Sequence, residues 1–139
     1  MSLWSRLRDI FAPIGDDPEL PPAPAPGMTR LHLFAGDFES GDAARAYCFM
    51  APDKDHPEPL TNDLPGAFVD IRFVTVAHGP AARDFIRHKC PTDTAAEVRD
   101  RLGAARTLVV LEEAAFGGFP YTLNDTPKLA YLGAWEVPE

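Results

Sequence analysis

The stretch Ala67-Phe-Val-Asp-Ile-Arg-Phe-Val-Thr-Val-Ala77 is the most strand-like in the chain. It is dense in β-branched and aromatic residues, which fit a pleated, half-buried surface. Val69, Ile71 and Phe73 point to one side, while Phe68, Asp70, Arg72, Val74 and Val76 point to the other. The second set runs from polar to apolar, so the expectation is a central strand with one face fully buried. C-terminal to it, Gly79-Pro80 opens a helix over about 81–90, with Ala82, Phe85, Ile86 and Cys90 inward and Arg83, Asp84, Arg87 and His88 toward water. Pro91 breaks that helix. Thr94-Ala-Ala-Glu97 is a capping box for a third helix with Ala95, Val98 and Leu102 inward, stopped at Gly103. Thr107 to Leu111 is a nearly all-apolar strand, and Gly117-Gly118 and Pro120 mark a long connection after it.

The closing stretch, Lys128 to Val137, alternates again, with Leu129, Tyr131 and Trp135 on one side and Ala130, Leu132 and Ala134 on the other; Gly133 marks a bulge or a close backbone approach. N-terminal to the opening stretch, Arg30–Ala35 alternates around Leu31 and Leu33 and ends at Gly36. Ser40 caps a helix through Phe49, and the proline-rich segment 51–66 reads as a loop. The expected fold class is α+β, a two-layer sandwich with about three helices on one face of a four-stranded, mostly antiparallel or mixed sheet. The last two strands are expected to pair as a hairpin. Val69, Ile71, Phe73, Val109, Leu111, Phe85, Ile86 and Leu102 are the expected shared core.

Three segments follow from composition: an amphipathic arm at 1–12, a proline-rich linker at 13–27 and a single domain at 28–139. In the arm Leu3, Leu7, Ile10 and Phe11 share a helical face with Trp4 on its flank, and Ser2 is its N-cap. So short a helix is marginal alone; Trp4, Leu7, Ile10 and Phe11 are therefore expected to dock on the domain or on a second subunit. The linker holds prolines at 13, 18, 21, 22, 24 and 26, a composition that favours extended polyproline structure. Met28 offers an alternative translational start.

With 139 residues and a net charge of −8, the chain is long enough to bury a core and too acidic for a general nucleic-acid binder. No window approaches a membrane span, and the charged N-terminus is no secretory signal, so the expected location is cytoplasmic. Cys48 and Cys90 are too few for a disulfide framework, and each reads as a small buried hydrophobe. His88 and Cys90 stand two apart on a helix and do not face each other, which disfavours a Cys–His pair. His32, His56, His78 and His88 lie at no metal-ligand spacing, the loop Asp53–Glu58 lacks a calcium-loop pattern, and the glycines form no phosphate cradle. No catalytic residue, metal or cofactor is assigned. Asp37, Glu39, Asp42, Asp53, Asp55, Glu58 and Asp63 form the candidate partner-binding set: seven carboxylates against Arg45 and Lys54, a net −5 within 37–63. Charge of one sign in one segment favours a basic partner and fast association.

Leu31-His-Leu-Phe-Ala-Gly-Asp-Phe38, followed by Glu39-Ser40 and a helix ending near Tyr47, resembles the opening of the immunity protein 22 family of bacterial polymorphic-toxin immunity proteins. Leu132-Gly-Ala-Trp135 resembles the closing strand of that family, whose usual first-strand Trp is Phe34 here. The resemblance implies toxin neutralisation by binding, without catalysis, against a partner such as a basic toxin domain. The alternatives are a homo-oligomeric interaction domain joined through the arm and, third, a small enzyme using Cys and His.

Overall fold

The computed structural model describes residues 21–139, so the arm and its docking residues Trp4, Leu7, Ile10 and Phe11 lie outside the described residues. Strand β1 (Met28–Gly36) is followed by helix α1 (Gly41–Phe49), a short helix α2 (Pro59–Asp63), a 3-10 turn (Ile71–Phe73) and strand β2 (Val74–His78). Helices α3 (Pro80–Lys89) and α4 (Thr92–Leu102) lead to strand β3 (Thr107–Glu112), a second 3-10 turn (Glu113–Phe116) and strand β4 (Leu129–Pro138). The strands form one antiparallel sheet in the order β2-β3-β1-β4. The α+β class and the four-stranded antiparallel sheet are as the sequence indicates.

The sheet has a core on each face. Phe34, Val109, Leu111 and Val74 pack with Ala44, Tyr47 and Cys48 of α1 and with Leu60 of α2. Leu31, Leu33, Ala35, Leu108 and Val110 pack on the other side with Ala82 and Ile86 of α3 and Ala95, Val98 and Leu102 of α4. Strict alternation in β1 and β3 sends odd and even positions to opposite helical layers, so both strands read as continuous apolar runs. Helices therefore cover both faces of the sheet rather than one. The expected shared core divides accordingly. Val69, Val109 and Leu111 are buried on the α1 side and Ile86 and Leu102 on the other, while Ile71, Phe73 and Phe85 are only partly buried.

Several local expectations change. The stretch 67–77 is strand only from Val74 onward, and β2 is an edge, not the centre. The Asp70 carboxylate accepts the backbone N–H of Arg72 at 3.1 Å and caps the 3-10 turn Ile71–Phe73, so a local side-chain bond displaces the ladder. β3 and β4 are not a hairpin, because β1 lies between them. Helix α4 starts at Thr92 behind Pro91 rather than at a Thr94 box: the Pro91 carbonyl accepts Ala95 N–H at 2.7 Å. The proline-rich 51–66 segment contains α2, entered through Pro59 at its first turn. Ser40 caps α1 by accepting from Ala43 N–H, and Gly103, at φ 60°, ends α4.

Gly133 marks a bulge. The β1–β4 register passes from Leu33↔Gly133 to Phe34↔Tyr131, leaving Leu132 unpaired, and Gly133 takes φ +134°. The extra residue reverses the parity of β4. Leu129 and Tyr131 belong to the α1 side, whereas Leu132, Trp135 and Val137 belong to the α3–α4 side, so Trp135 does not share a face with Tyr131. The outer edge of β4 is closed over its first half. Leu129 exchanges bonds with Thr126, Tyr131 N–H donates to Asp125 at 2.8 Å, and Arg101 donates to the Leu132 carbonyl at 2.8 Å.

Phe34 has no exposed surface and sits at the centre of the α1-side core. Truncating it to Ala is expected to cost about 3–5 kcal/mol. Phe73→Ala, at a half-buried position, is expected to cost distinctly less. Urea denaturation of the two variants at constant m-value checks the order.

Candidate functional site

Two features gather polar chemistry. The first is the acidic layer. Segment 37–63 crosses the α1 side of the sheet, anchored by Phe38, Ala44, Tyr47, Cys48 and Leu60. Asp37, Glu39, Asp42, Asp53 and Asp55 are exposed, and Glu58 and Asp63 are half-buried. Asp37 and Glu39 line a surface depression of about 510 Å³ beside Phe38 and Lys128.

Some of these carboxylates have local partners. Asp37 accepts Arg106 N–H at 3.1 Å and lies 3.5 Å from its guanidinium. Asp42 meets Arg45 at 2.6 Å. Asp53 accepts from Asp55 N–H and pairs with His56 at 2.7 Å; the His56 bond is the main reason that its carboxyl sits below the ordinary value. Glu58 accepts from Thr61, and Asp63 from the Tyr47 hydroxyl at 2.7 Å. Among the described residues, Glu39, Asp55, Glu58 and Asp63 have no basic side chain within ion-pair distance. The pairs that do form are exposed, and such pairs contribute about 0–1 kcal/mol. They leave the layer acidic as seen from solution.

The second feature is a buried polar cluster that the sequence did not disclose. Arg30, His32 and Phe34 alternate along the α1-facing side of β1, and His32 is only 2% exposed. Its Nε2 lies 2.8 Å from Glu113 Oε1 and its Nδ1 lies 3.1 Å from the Tyr131 hydroxyl. With Nε2–H donating to the carboxylate, Nδ1 accepts from Tyr131, so the neutral imidazole is satisfied at both nitrogens. The Tyr121 hydroxyl donates to Glu113 at 2.9 Å. Arg30 Nη1, 3.2 Å from the same carboxylate, makes no aligned hydrogen bond there, so its attraction to Glu113 is mainly charge on charge. Phe116 stacks on Tyr121 at 4.0 Å and meets the His32 ring edge-on at 5.1 Å.

Burial lowers the His32 pKa against the opposing pull of Glu113. Burial alone would raise the Glu113 carboxyl, but hydrogen bonds from His32 and Tyr121 and the Arg30 charge together hold it below the usual value. Burial and the adjacent carboxylate raise the Tyr121 hydroxyl. The cluster thus rests as a neutral imidazole on a charged Arg–Glu pair. It is an internal network joining β1, β4 and the turn after β3, satisfied at the imidazole but not at Arg30 Nη1.

Cys48 is fully buried, and burial pushes its thiol up to about 12, far from the thiolate a nucleophile needs. Cys90 is also buried, and burial raises it too. His88 faces its own helix through the Asp84 carbonyl, and His78 bonds Thr107 at 2.8 Å, so neither is brought to a thiol. Among the described residues no three His, Cys, Asp or Glu side chains group as a metal site requires, and no helix is long and apolar enough to cross a membrane.

Glu113→Ala is expected to cost about 2–3 kcal/mol, because it leaves the buried His32 Nε2–H and the Tyr121 hydroxyl without their acceptor, while Arg30 keeps Glu136 at 3.6 Å. For pH, the folded His32 binds its proton less readily than the unfolded imidazole at about 6.5. Stability is therefore retained above that value and falls as pH drops through it, until the folded imidazole protonates. Glu113, held low in the fold, adds loss of the same sign at more acidic pH. The urea midpoint should fall between pH 7 and about pH 5.5, and His32→Gln should flatten that slope whatever its effect at neutral pH.

Comparison of the chain with protein-family models, with curated proteins and with solved structures finds no match.

Proposed function

We propose that this chain is a non-catalytic binding protein of the bacterial immunity kind, acting in the cytoplasm and neutralising a basic toxin domain through the acidic layer over α1 and α2. The observation that carries the reading is the partition of charge between the two helical layers. Segment 37–63 on one side of the sheet holds seven acidic and two basic residues, whereas segment 80–102 on the other holds four acidic and five basic. A carboxylate excess on one layer costs some self-repulsion and favours oriented, rapid encounter with a cationic surface. The likeness to the immunity protein 22 family adds to this. Its two carrying stretches are hydrogen-bonded neighbours, Leu31 opposite Trp135 and Leu33 opposite Gly133, as the opening and closing strands of one sheet.

The test begins with the full-length chain as bait in lysate of its own host at low salt. A basic protein domain is expected to co-purify and to lose its toxicity when co-expressed. The combined variant Asp37→Asn, Glu39→Gln, Asp42→Asn, Asp53→Asn, Asp55→Asn and Glu58→Gln should keep its melting temperature. Its association with that partner should slow by about tenfold at low salt, and the salt dependence of the on-rate should flatten. Unchanged rates, or a partner that leaves toxicity intact, overturn the reading.

A further inference from the structure

Among the described residues, two large aromatic side chains left in solvent lie together. Phe68 and Phe119 are 53% and 58% exposed, and their rings meet edge to face at 5.7 Å. The patch is built, not incidental. Gly117 and Gly118 take φ +65° and +81° to turn the chain after Phe116 and present Phe119. The Phe68 ring lies so close to Gly117 that a Cβ there would meet it at 3.1 Å. Phe119 also lines a groove of about 250 Å³, together with Phe116 and Glu113.

The chain's own N-terminal side helps to line this groove. Pro21, Ala23 and Pro24 line it together with Phe119, so the segment that precedes Pro21 is joined to the chain at the groove. Residues 12–20 separate Pro21 from the arm and reach about 28 Å at roughly 3.1 Å per residue. The arm is therefore tethered beside an exposed aromatic patch. Its sequence carries an apolar set of matching kind, Leu3, Trp4, Leu7, Ile10 and Phe11.

We infer that residues 3–11 dock in cis on the Phe68–Phe119 patch and the adjoining groove. Burying large apolar side chains stabilises by the area removed from water, and the short tether makes the contact intramolecular, at an effective concentration in the millimolar range. Docking of the arm and the acidic-layer reading rest on different residues, so each can fail without the other.

Fluorescence of the full chain carrying Trp135→Phe tests this, because Trp4 is then the sole tryptophan. Trp4 emission is expected to be blue-shifted and protected from acrylamide, and unchanged across a dilution series. Phe68→Ser with Phe119→Ser should return it to that of solvated indole without altering the far-ultraviolet circular dichroism. Solvated emission in the parent chain, or shielding that survives the double substitution, overturns the inference. Shielding that disappears on dilution also overturns it and assigns the occupant to a second copy. A photo-crosslinking benzoylphenylalanine at position 119 gives an independent reading in the unaltered tryptophan background. An adduct to residues 1–11 of the same chain supports docking in cis. A dimeric adduct, or none to those residues, overturns it.

Discussion

No side chain of β1 from Leu31 to Gly36 faces water. This strand is hydrogen-bonded on both edges and packed on both faces, and the rest of the fold is arranged to make that possible. Two helical pairs are needed to cover it, one on each side. The apolar run is interrupted only at the start, where Arg30 and His32 occupy positions that would otherwise be core. An unpaired guanidinium or imidazole at such depth is costly. The turn after β3 supplies Glu113, the following connection supplies Tyr121, and β4 supplies Tyr131. The polar cluster is thus the means by which a central strand carries two basic residues without losing its place.

The bulge in β4 belongs to the same arrangement. Before it, the strand sends Tyr131 to the side of His32; after it, Trp135 turns to α4, where its indole donates to Glu97 at 2.6 Å and lies under Arg101. A regular strand would have put both aromatics on one face. The Gly at the bulge matters because its φ lies where side-chain-bearing residues rarely go, and because Arg101 and the Trp135 ring already fill the space a Cβ would take.

Much of this was legible from local pattern. Alternation marked β1 and β4, and an unbroken apolar run marked β3; Ser40 and Gly103 marked helix ends; Gly133 marked an irregularity; and the acidic concentration in 37–63 is a fact of sequence. What escaped depends on distance or on local competition. His32 stands between two leucines with nothing nearby to explain it, since Glu113, Tyr121 and Tyr131 are 81, 89 and 99 positions away. The strand pattern of 67–77 was diluted by one carboxylate, Asp70, which captured its own backbone two residues on. Strand order was hidden because adjacency in sequence favours a β3–β4 hairpin, whereas burial favours placing the most apolar strands at the centre.

The capped margin of β4 bears on how this molecule meets others. A sheet margin with free amides and carbonyls is a template on which any extended peptide, including another copy of the same strand, can lengthen the sheet. Here Thr126, Asp125 and Arg101 occupy those groups along Leu129 to Leu132. A foreign strand would have to displace three local partners before gaining its first ladder bond. Growth of the sheet into fibres or strand-swapped dimers is disfavoured on that flank. Along that stretch recognition is left to side chains, whose charge and shape discriminate between partners in a way that backbone pairing does not.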